Sequence, residues 1–302
     1  MVAPLIVVVG DAMLDITVRP ALSPREGGDV PADIRLGPGG QGANVAVRLA
    51  RHGLPVRLVC AIGDDAAGRI IRESLAASDV AINDIGAEAS GAVIVMLGAG
   101  GERTMLSHRA PLGRRLSAEP LTRADWLIVS GYLLAERDRG VLEIAAGDIG
   151  RRVVLGCSLE QALAPAWADA AAALRPHLTI LNDTEAATIA GAVDRPAVLS
   201  RRIADRLGGL VVVSHRSGAA IAIGDQEVEV EAASADMAVD TTGAGDALAA
   251  RLVAALIDAD WPPGVERVRP ALASAIATAA EVARLAGAQA RTSDEAGGTV
   301  RR

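Results

Sequence analysis

The sequence predicts an α/β fold, with a mostly parallel central sheet covered by helices on both faces and a smaller sheet beside it. The first observation is that short aliphatic runs alternate along the chain with helical patterns, as they do when helices connect the strands of a parallel sheet. The second is that two segments, 13–36 and 91–109, break this rhythm with polar alternation and glycine-rich turns, which is typical of hairpin strands. We expect these two segments to form a lid over one end of the main sheet.

Seven aliphatic runs predict buried strands, because each is short, rich in aliphatic residues and bounded by turn residues. They are residues 5–9, 56–62, 126–130, 153–157, 178–181, 210–214 and 219–223. Two clear helical patterns, 43–53 and 246–263, end at glycine or proline. Residues 1–302 are expected to form a single domain, with a loosely ordered polar tail at 291–302.

Composition limits the classes of function. The 302 residues are 51% hydrophobic and carry a net charge of −7, which argues against a nucleic-acid groove or an anionic membrane as the main partner. No apolar run approaches the roughly 20 residues of a membrane span, and the N-terminus lacks the basic segment of a signal peptide. We therefore expect a cytoplasmic protein that acts on small molecules, with neither nucleic acid nor membrane as a partner.

Missing and rare residue types exclude further classes. The chain has no lysine, so a Walker A loop, a Schiff-base lysine and a pyridoxal-phosphate site are impossible. The only cysteines, Cys60 and Cys157, lie inside aliphatic runs. This placement suits buried thiols rather than a disulfide framework or a structural zinc site.

The segment GPGGQGAN at 37–44 has the spacing G-x-G-x-x-G, and the acidic pair Asp64–Asp65 follows it. Together they have the outline of a dinucleotide-binding turn. In that fold the first strand leads directly into the glycine turn, whereas here the run 5–9 ends well before it. The dehydrogenase interpretation is therefore the weaker one, and another ligand for these glycines is favoured.

The segment DTTGAGDAL at 240–248 is the stronger site signal. Gly243 and Gly245 allow a tight turn and a close approach of a ligand, and a helix beginning near Asp246 directs unpaired N–H groups into that turn. A phosphate suits this position, and a carboxylate beside it favours a general base that takes a proton from a nucleophile attacking the phosphate. The alternative is that Asp246 only caps the helix and the glycines only form a turn.

The segments GGQGANVAVRLARHG at 39–53 and DTTGAGDALAARL at 240–252 resemble the two signature regions of the ribokinase-like, or PfkB-type, carbohydrate kinases. The resemblance extends over nearly the whole chain. It implies a ribokinase-like three-layer sandwich with a small β-sheet lid, which family members often pair into a homodimer. It also implies phosphorylation of a sugar or nucleoside hydroxyl with ATP and Mg²⁺.

The resemblance gives each matching residue a role. Asp246 is the general base, with an anion hole formed by Gly243, Ala244 and Gly245. The positions that match substrate-binding residues are Asp15, Gly39, Gly40, Gln41 and Asn44. Those that match the nucleotide site are Asn182, Ser214, Arg216 and Gly218. Glu185 matches the residue that orients water around Mg²⁺, and the backbone of Asp240, Thr242 and Gly287 matches loops that hold K⁺ in many relatives.

Several of these residues have a structural alternative. Asn182 and Glu185 stand three apart, which is also the pattern of a capping box. Arg216 is as well explained as a solvated arginine. Gln41 replaces a lysine of ribokinase proper, so ribose itself is in doubt as the substrate, and Arg103 or Arg109 faces either an acidic substrate or solvent.

Two alternatives to a sugar kinase stay open. A nucleoside kinase of adenosine, cytidine or pseudouridine type needs an apolar pocket for the base, but one Tyr and three Trp provide little surface for stacking. A non-catalytic sugar or nucleotide sensor is the remote alternative. The presence of both Asp246 and Glu185 argues against it.

Overall fold

A computed structural model describes most of the chain. The described residues are 3–98, 103–112, 116, 121, 123–135, 149–157, 165–232, 242–285, 287–289, 291–292 and 295. Asp240, one of the residues matched to the K⁺ loops, lies outside them.

The strands and helices alternate as the sequence predicts. The strands are β1 Ile6–Val9, β2 Met13–Pro20, β3 Ala32–Gly39, β4 Val56–Cys60, β5 Ala81–Asp84, β6 Gly91–Leu97, β7 Arg103–His108, β8 Trp126–Val129, β9 Arg151–Leu155, β10 Leu178–Asn182, β11 Leu210–His215, β12 Gly218–Ile223 and β13 Gln226–Glu231. The helices are α1 Gln41–Arg51, α2 Ala66–Ala76, α3 Gly131–Ala135, α4 Pro165–Ala173, α5 Asp183–Ala190, α6 Pro196–Leu207, α7 Ala244–Leu256 and α8 Val265–Ala283. Among the described residues, no helix combines the length and the apolar character that crossing a bilayer requires.

Nine strands form the main sheet, in the order β13-β12-β11-β10-β9-β8-β1-β4-β5. The sheet is parallel from β11 to β5, and β12 and β13 add an antiparallel edge. All seven predicted strand runs lie in this sheet. The direction of winding reverses between β1 and β8, and ligands of open α/β sheets bind in the crevice at such a switch point.

Both faces of the main sheet are buried, which explains why its strands are aliphatic without polar alternation. In β1, Ile6 and Val8 belong to one core with residues of α1, α7 and α8, whereas Val7 and Val9 belong to the core on the other face. The predicted buried thiols are confirmed, since Cys60 and Cys157 are free and buried. Burial raises the pKa of each thiol to about 12, so neither is a reactive thiolate at neutral pH.

The segments predicted to be hairpin strands form a second, four-stranded sheet in the order β3-β2-β6-β7. One face is apolar and exposed, because register places Ile16 beside both Leu36 and Ile94, and Ile94 beside Leu106. Leu36 and Leu106 are each 58% exposed. Strand β3 extends to Gly39, so the lid runs directly into the first glycine segment rather than ending at residue 36.

The expectation of a loose tail does not hold at two residues of 291–302. Thr292 and Glu295 are buried. The Glu295 carboxylate pairs with Arg48 at 2.9 Å and with Arg51 at 3.2 Å, so two guanidinium groups of α1 hold this part of the chain against the fold.

Candidate active site

The polar residues of the site follow strands of the main sheet at their carboxyl ends. Asp11 comes shortly after β1, Ser130 directly after β8, and Gly156 directly after β9, while Asn182 ends β10. These four strands are neighbours in the sheet. The crevice at the switch point is therefore lined by carboxylate, hydroxyl, amide and backbone groups.

The second glycine segment forms the start of α7 as predicted. Gly243 adopts a left-handed conformation with φ 78°, and no side chain caps the helix there. A Cβ at Gly243 would lie 2.8 Å from the Cα of Ala288, so the turn packs tightly against the chain that follows α8. Gly245, in contrast, has open space around it. The first N–H groups of α7 therefore have no side-chain cap, and the turn has room for a ligand at Gly245.

Asp246 lies in the first turn of α7, where a side chain of α1 contacts it. The Asn44 amide donates a hydrogen bond of 2.8 Å to Asp246 Oδ2. Asn44 Oδ1 in turn accepts a hydrogen bond of 3.1 Å from Gln289. The structure therefore joins Asn44 to the predicted base, and the substrate contact assigned to Asn44 by resemblance stays a prediction.

The first glycine segment is packed closely between β1 and β2. Gly40 adopts φ 92°, a conformation that favours glycine. A Cβ at Gly39 would overlap the Asp15 carboxylate, and one at Gly42 would lie 2.7 Å from the backbone of Gly10. These glycines bring α1 against the chain around Asp15, which is 8% exposed.

Gln41, the first residue of α1, spans the switch point. Its amide nitrogen donates a hydrogen bond of 3.1 Å to the Gly156 carbonyl, and its oxygen accepts one of 2.7 Å from the Ser130 hydroxyl. A neutral amide held from both sides therefore occupies the position of the missing lysine. The side chain is fixed in orientation beside the crevice.

Arg109 is not a solvated lid residue. Its guanidinium pairs with Asp11, lies 3.2 Å from the sulfur of Met13, and stacks 3.5 Å from the centre of the Tyr132 ring. Burial raises the pKa of Tyr132 to about 12, and the charges of Arg109, Asp11, Asp246 and Glu185 all act on it. These groups therefore share one electrostatic environment.

Glu185 is a carboxyl of the site with a raised pKa. The predicted capping box is present, because Glu185 accepts a hydrogen bond of 2.9 Å from the backbone of Asn182, whose side chain accepts one of 2.8 Å in return. Burial raises the pKa of Glu185 to about 7, against the opposing effect of hydrogen bonds from the backbone of Asn182 and Cys157. A bound cation would favour the charged form of this carboxyl.

The residues matched to the nucleotide site lie on neighbouring strands. Asn182 is paired in register with Ser214 of β11. Arg216 is exposed in the turn between β11 and β12. Close packing requires glycine at position 218, since a Cβ there would lie 2.1 Å from the Val230 carbonyl oxygen.

The residues matched to the cation loops meet behind the second glycine segment. Thr242 and Gly287 line one groove of about 1350 Å³, together with Asp15 and Gln289. The contact of Gly243 with Ala288 holds the two loops against each other. A cation bound between these loops would adjoin the start of α7.

Glu185 fits a magnesium ion held largely by water and phosphate. Carboxylate oxygen is a ligand that Mg²⁺ prefers, and the ion usually keeps several waters while one or two carboxylates and the substrate phosphates complete its shell. Within the described part of the chain, no cluster of three His, Cys, Asp or Glu residues forms a protein-only cage. The residues present therefore suit the hydrated mode of binding.

Reasoning from the sequence missed Asp11, Ser130, Tyr132 and Gln289. Asp11 and Ser130 each stand within two residues of the end of a predicted strand, which is a usable signal in an α/β sheet. Tyr132 and Gln289 carry no such signal, because their roles depend on contacts with Arg109 and Asn44 that are distant in sequence.

Comparison with known proteins gives one consistent result. A family model described as pfkB family carbohydrate kinase matches residues 3–295. A fructokinase of Klebsiella pneumoniae is 30% identical over 79% of this chain and 83% of its own length. A deoxyribokinase of Salmonella typhi is 28% identical over 80% of this chain and 82% of its own.

Solved structures show the same fold. The structure of Arabidopsis thaliana ribokinase complexed with ribose and ATP has a TM-score of 0.73 and 23% identity, and the match covers 95% of both chains. At that identity the likeness establishes the fold alone.

Proposed function

Because the chain belongs to the pfkB family of carbohydrate kinases, which transfer phosphate to an alcohol group, we propose that it transfers the γ-phosphoryl group of ATP to a sugar hydroxyl with Asp246 as general base. The observation that carries the proposal is the 2.8 Å hydrogen bond between Asn44 and Asp246. It joins the two signature segments, 202 residues apart, at one carboxylate in the first turn of α7.

The site supports the parts that phosphoryl transfer needs. The open start of α7 offers backbone N–H groups to the phosphates, and the Asn44 amide orients Asp246 toward an acceptor. Asp246 takes the hydroxyl proton as the oxygen attacks phosphorus. Glu185 and the phosphates would hold Mg²⁺, which when bound neutralises developing phosphate charge.

Replacement of Asp246 tests the mechanism. Asp246→Asn keeps the size and capping ability of the side chain but cannot accept the proton, so kcat should fall by roughly 10²–10⁴-fold while ATP binding and melting temperature hardly change. Asp258→Asn, an exposed change just past the other end of α7, is the matched control. A stable Asp246→Asn enzyme that keeps more than about a tenth of kcat would defeat the assignment.

The positions of the aromatic rings favour a sugar over a nucleoside as the substrate. The chain has three Trp, one Tyr and no Phe. Trp126 and Trp167 are buried, and Trp261 packs against Trp126 with 5.7 Å between ring centres. Tyr132 has Arg109 stacked on one face, so the Trp and Tyr rings are already packed against protein groups and offer little surface for stacking on a base. A panel in which a nucleoside outcompetes every sugar would overturn this choice.

We also propose that the lid pairs two copies of the chain. Its exposed apolar face, which includes Leu36, Ile94 and Leu106, suits a second copy of the same surface. Sedimentation should show a dimer that Leu106→Glu dissociates. A wild-type protein that stays monomeric at high concentration would exclude the pairing.

A monovalent cation between the loops of Thr242 and Gly287 is the last part of the proposal. It is supported by the tight contact of Gly243 with Ala288, through which a bound K⁺ would steady the start of α7. Activity should be higher in K⁺ than in a bulky organic cation. Equal activity in the two salts would remove the cation site.

A further inference from the structure

The charge balance around Arg109 limits the kind of sugar that fits. Arg109 and Asp11 are both largely buried, with side chains 16% and 8% exposed, and they form an ion pair beside the crevice. The Ser130 hydroxyl lies 3.4 Å from Asp11 and 2.7 Å from Gln41. The ion pair is therefore part of the same wall as the amide that fills the position of the missing lysine.

The positive charge of the Arg109 guanidinium is already balanced by an ion-pair partner. Asp11 supplies one negative charge to it, and Tyr132 covers one face of its plane at 3.5 Å. An acidic substrate would have to displace Asp11 and would leave that carboxylate buried without its partner, which is costly.

The remaining charges of the site have the same sign as an acidic substrate. The Tyr132 hydroxyl interacts electrostatically with three carboxyl groups and one guanidinium. They belong to Asp11, Asp246, Glu185 and Arg109. Bound ATP would add further negative charge. Hydroxyl groups, in contrast, satisfy carboxylate, amide and serine groups without any charge to compensate.

We propose, on the basis of the kinase function above, that the Arg109–Asp11 pair makes the site selective for neutral sugars and excludes sugar acids and sugar phosphates. Asp11 and Arg109 are then specificity-determining residues. The selectivity arises from repulsion of the wrong substrate as well as from contacts with the right one.

The test compares neutral and anionic acceptors in wild type and in Asp11→Asn, which releases Arg109 from its partner. Fructose and 2-deoxyribose are the neutral probes, and gluconate and fructose 6-phosphate the anionic ones. Wild type should favour the neutral probes, and Asp11→Asn should raise the anionic-to-neutral ratio of kcat/KM by about tenfold or more, equivalent to about 1.4 kcal/mol. Asp194→Asn, in the exposed pair with Arg202, is the matched control and should leave the ratio unchanged.

Calorimetric binding of the same probes separates this proposal from the kinase chemistry. If neutral probes bind and are not phosphorylated, the charge selection stands and the kinase mechanism fails. The proposal is overturned if wild type prefers an anionic probe, if neither class binds, or if folded Asp11→Asn keeps the wild-type ratio. Asp11→Ser serves where Asp11→Asn does not fold, and a wild type that prefers an anionic probe overturns the proposal without any variant.

Discussion

The two glycine-rich helix starts of this molecule look alike in sequence and differ in the space around them. Helices α1 and α7 both begin after a glycine with positive φ, and no side chain caps either of them. At the start of α1 the space beside the glycine is occupied by protein, since a Cβ at Gly42 would lie 2.7 Å from the backbone of Gly10. At α7, Gly245 has nothing within 4 Å.

The difference teaches that glycine serves two purposes in one site. Around α1 it allows protein to pack on protein, which brings Asp15 and Asn44 into position. At Gly245 it leaves room for a ligand to approach the backbone. Helices α2 and α5 provide the contrast, because Asp65 and Asn182 cap them with side chains and occupy the N–H groups that α7 leaves available.

Arg48 connects the two regions, and its loss should have the largest effect on stability. From α1 its buried guanidinium reaches Glu295 at 2.9 Å and the Ala288 carbonyl at 2.6 Å, behind the second turn. Among the described residues, Arg48→Met leaves the buried Glu295 carboxylate with Arg51 and the Thr292 N–H as partners. The free energy of unfolding should therefore fall by about 3 kcal/mol. Denaturant unfolding measures this loss, with Arg69→Met, an exposed residue of α2, as the control. A loss within 0.5 kcal/mol would show that the two turns are held independently.

Gly42→Ala tests whether the glycine turn before α1 is closely packed against the rest of the protein. The new methyl group would meet the backbone of Gly10, so the free energy of unfolding should fall by about 1–3 kcal/mol. Gly37→Ala in the same segment is the control, because nothing lies within 4 Å of its Cβ position. Equal stability of the two variants would contradict the packing role of Gly42.

Gly245→Ala tests whether the second turn is open for a ligand. Alanine favours the helix over glycine by up to about 1 kcal/mol, so the variant should be as stable as wild type or more so. Its kcat/KM for ATP should nevertheless fall by roughly 10–100-fold, because the methyl group occupies the space of the phosphates. A stable variant with wild-type kinetics would place the nucleotide elsewhere.

Asp65→Asn should have the smallest effect, and the stability difference between it and wild type should narrow in acid. Hydrogen bonds from the backbone of Ser90 and Gly68 and from the Ser90 hydroxyl lower the pKa of Asp65 to about 2. Stability from a lowered carboxyl pKa is present above about pH 4, the unfolded value, and is lost as the pH falls through 2. Wild type should therefore lose slightly more stability than Asp65→Asn between pH 4 and 2, by less than about 1 kcal/mol because solvent screens the group. Parallel acid melting curves would contradict this, and activity at neutral pH should not change.

The sequence by itself determined the elements and the family. Aliphatic runs with turn residues predicted seven of the nine strands of the main sheet, because hydrophobic periodicity is a local property. The two glycine segments carried the resemblance to the carbohydrate kinases. The capping box at Asn182 was predicted from a pattern that is likewise local.

Only the tertiary structure decided which side chains meet. Asn44 contacts Asp246 across 202 residues, Arg109 pairs with Asp11 across 98, and Arg48 reaches Glu295 across 247. Each contact depends on which strands lie side by side and on how the lid and the last described residues pack against α1. The net charge that a substrate meets at a buried arginine is likewise set by the neighbours of that arginine in space. The local sequence pattern therefore identifies the family, whereas the choice of substrate depends on the assembled site.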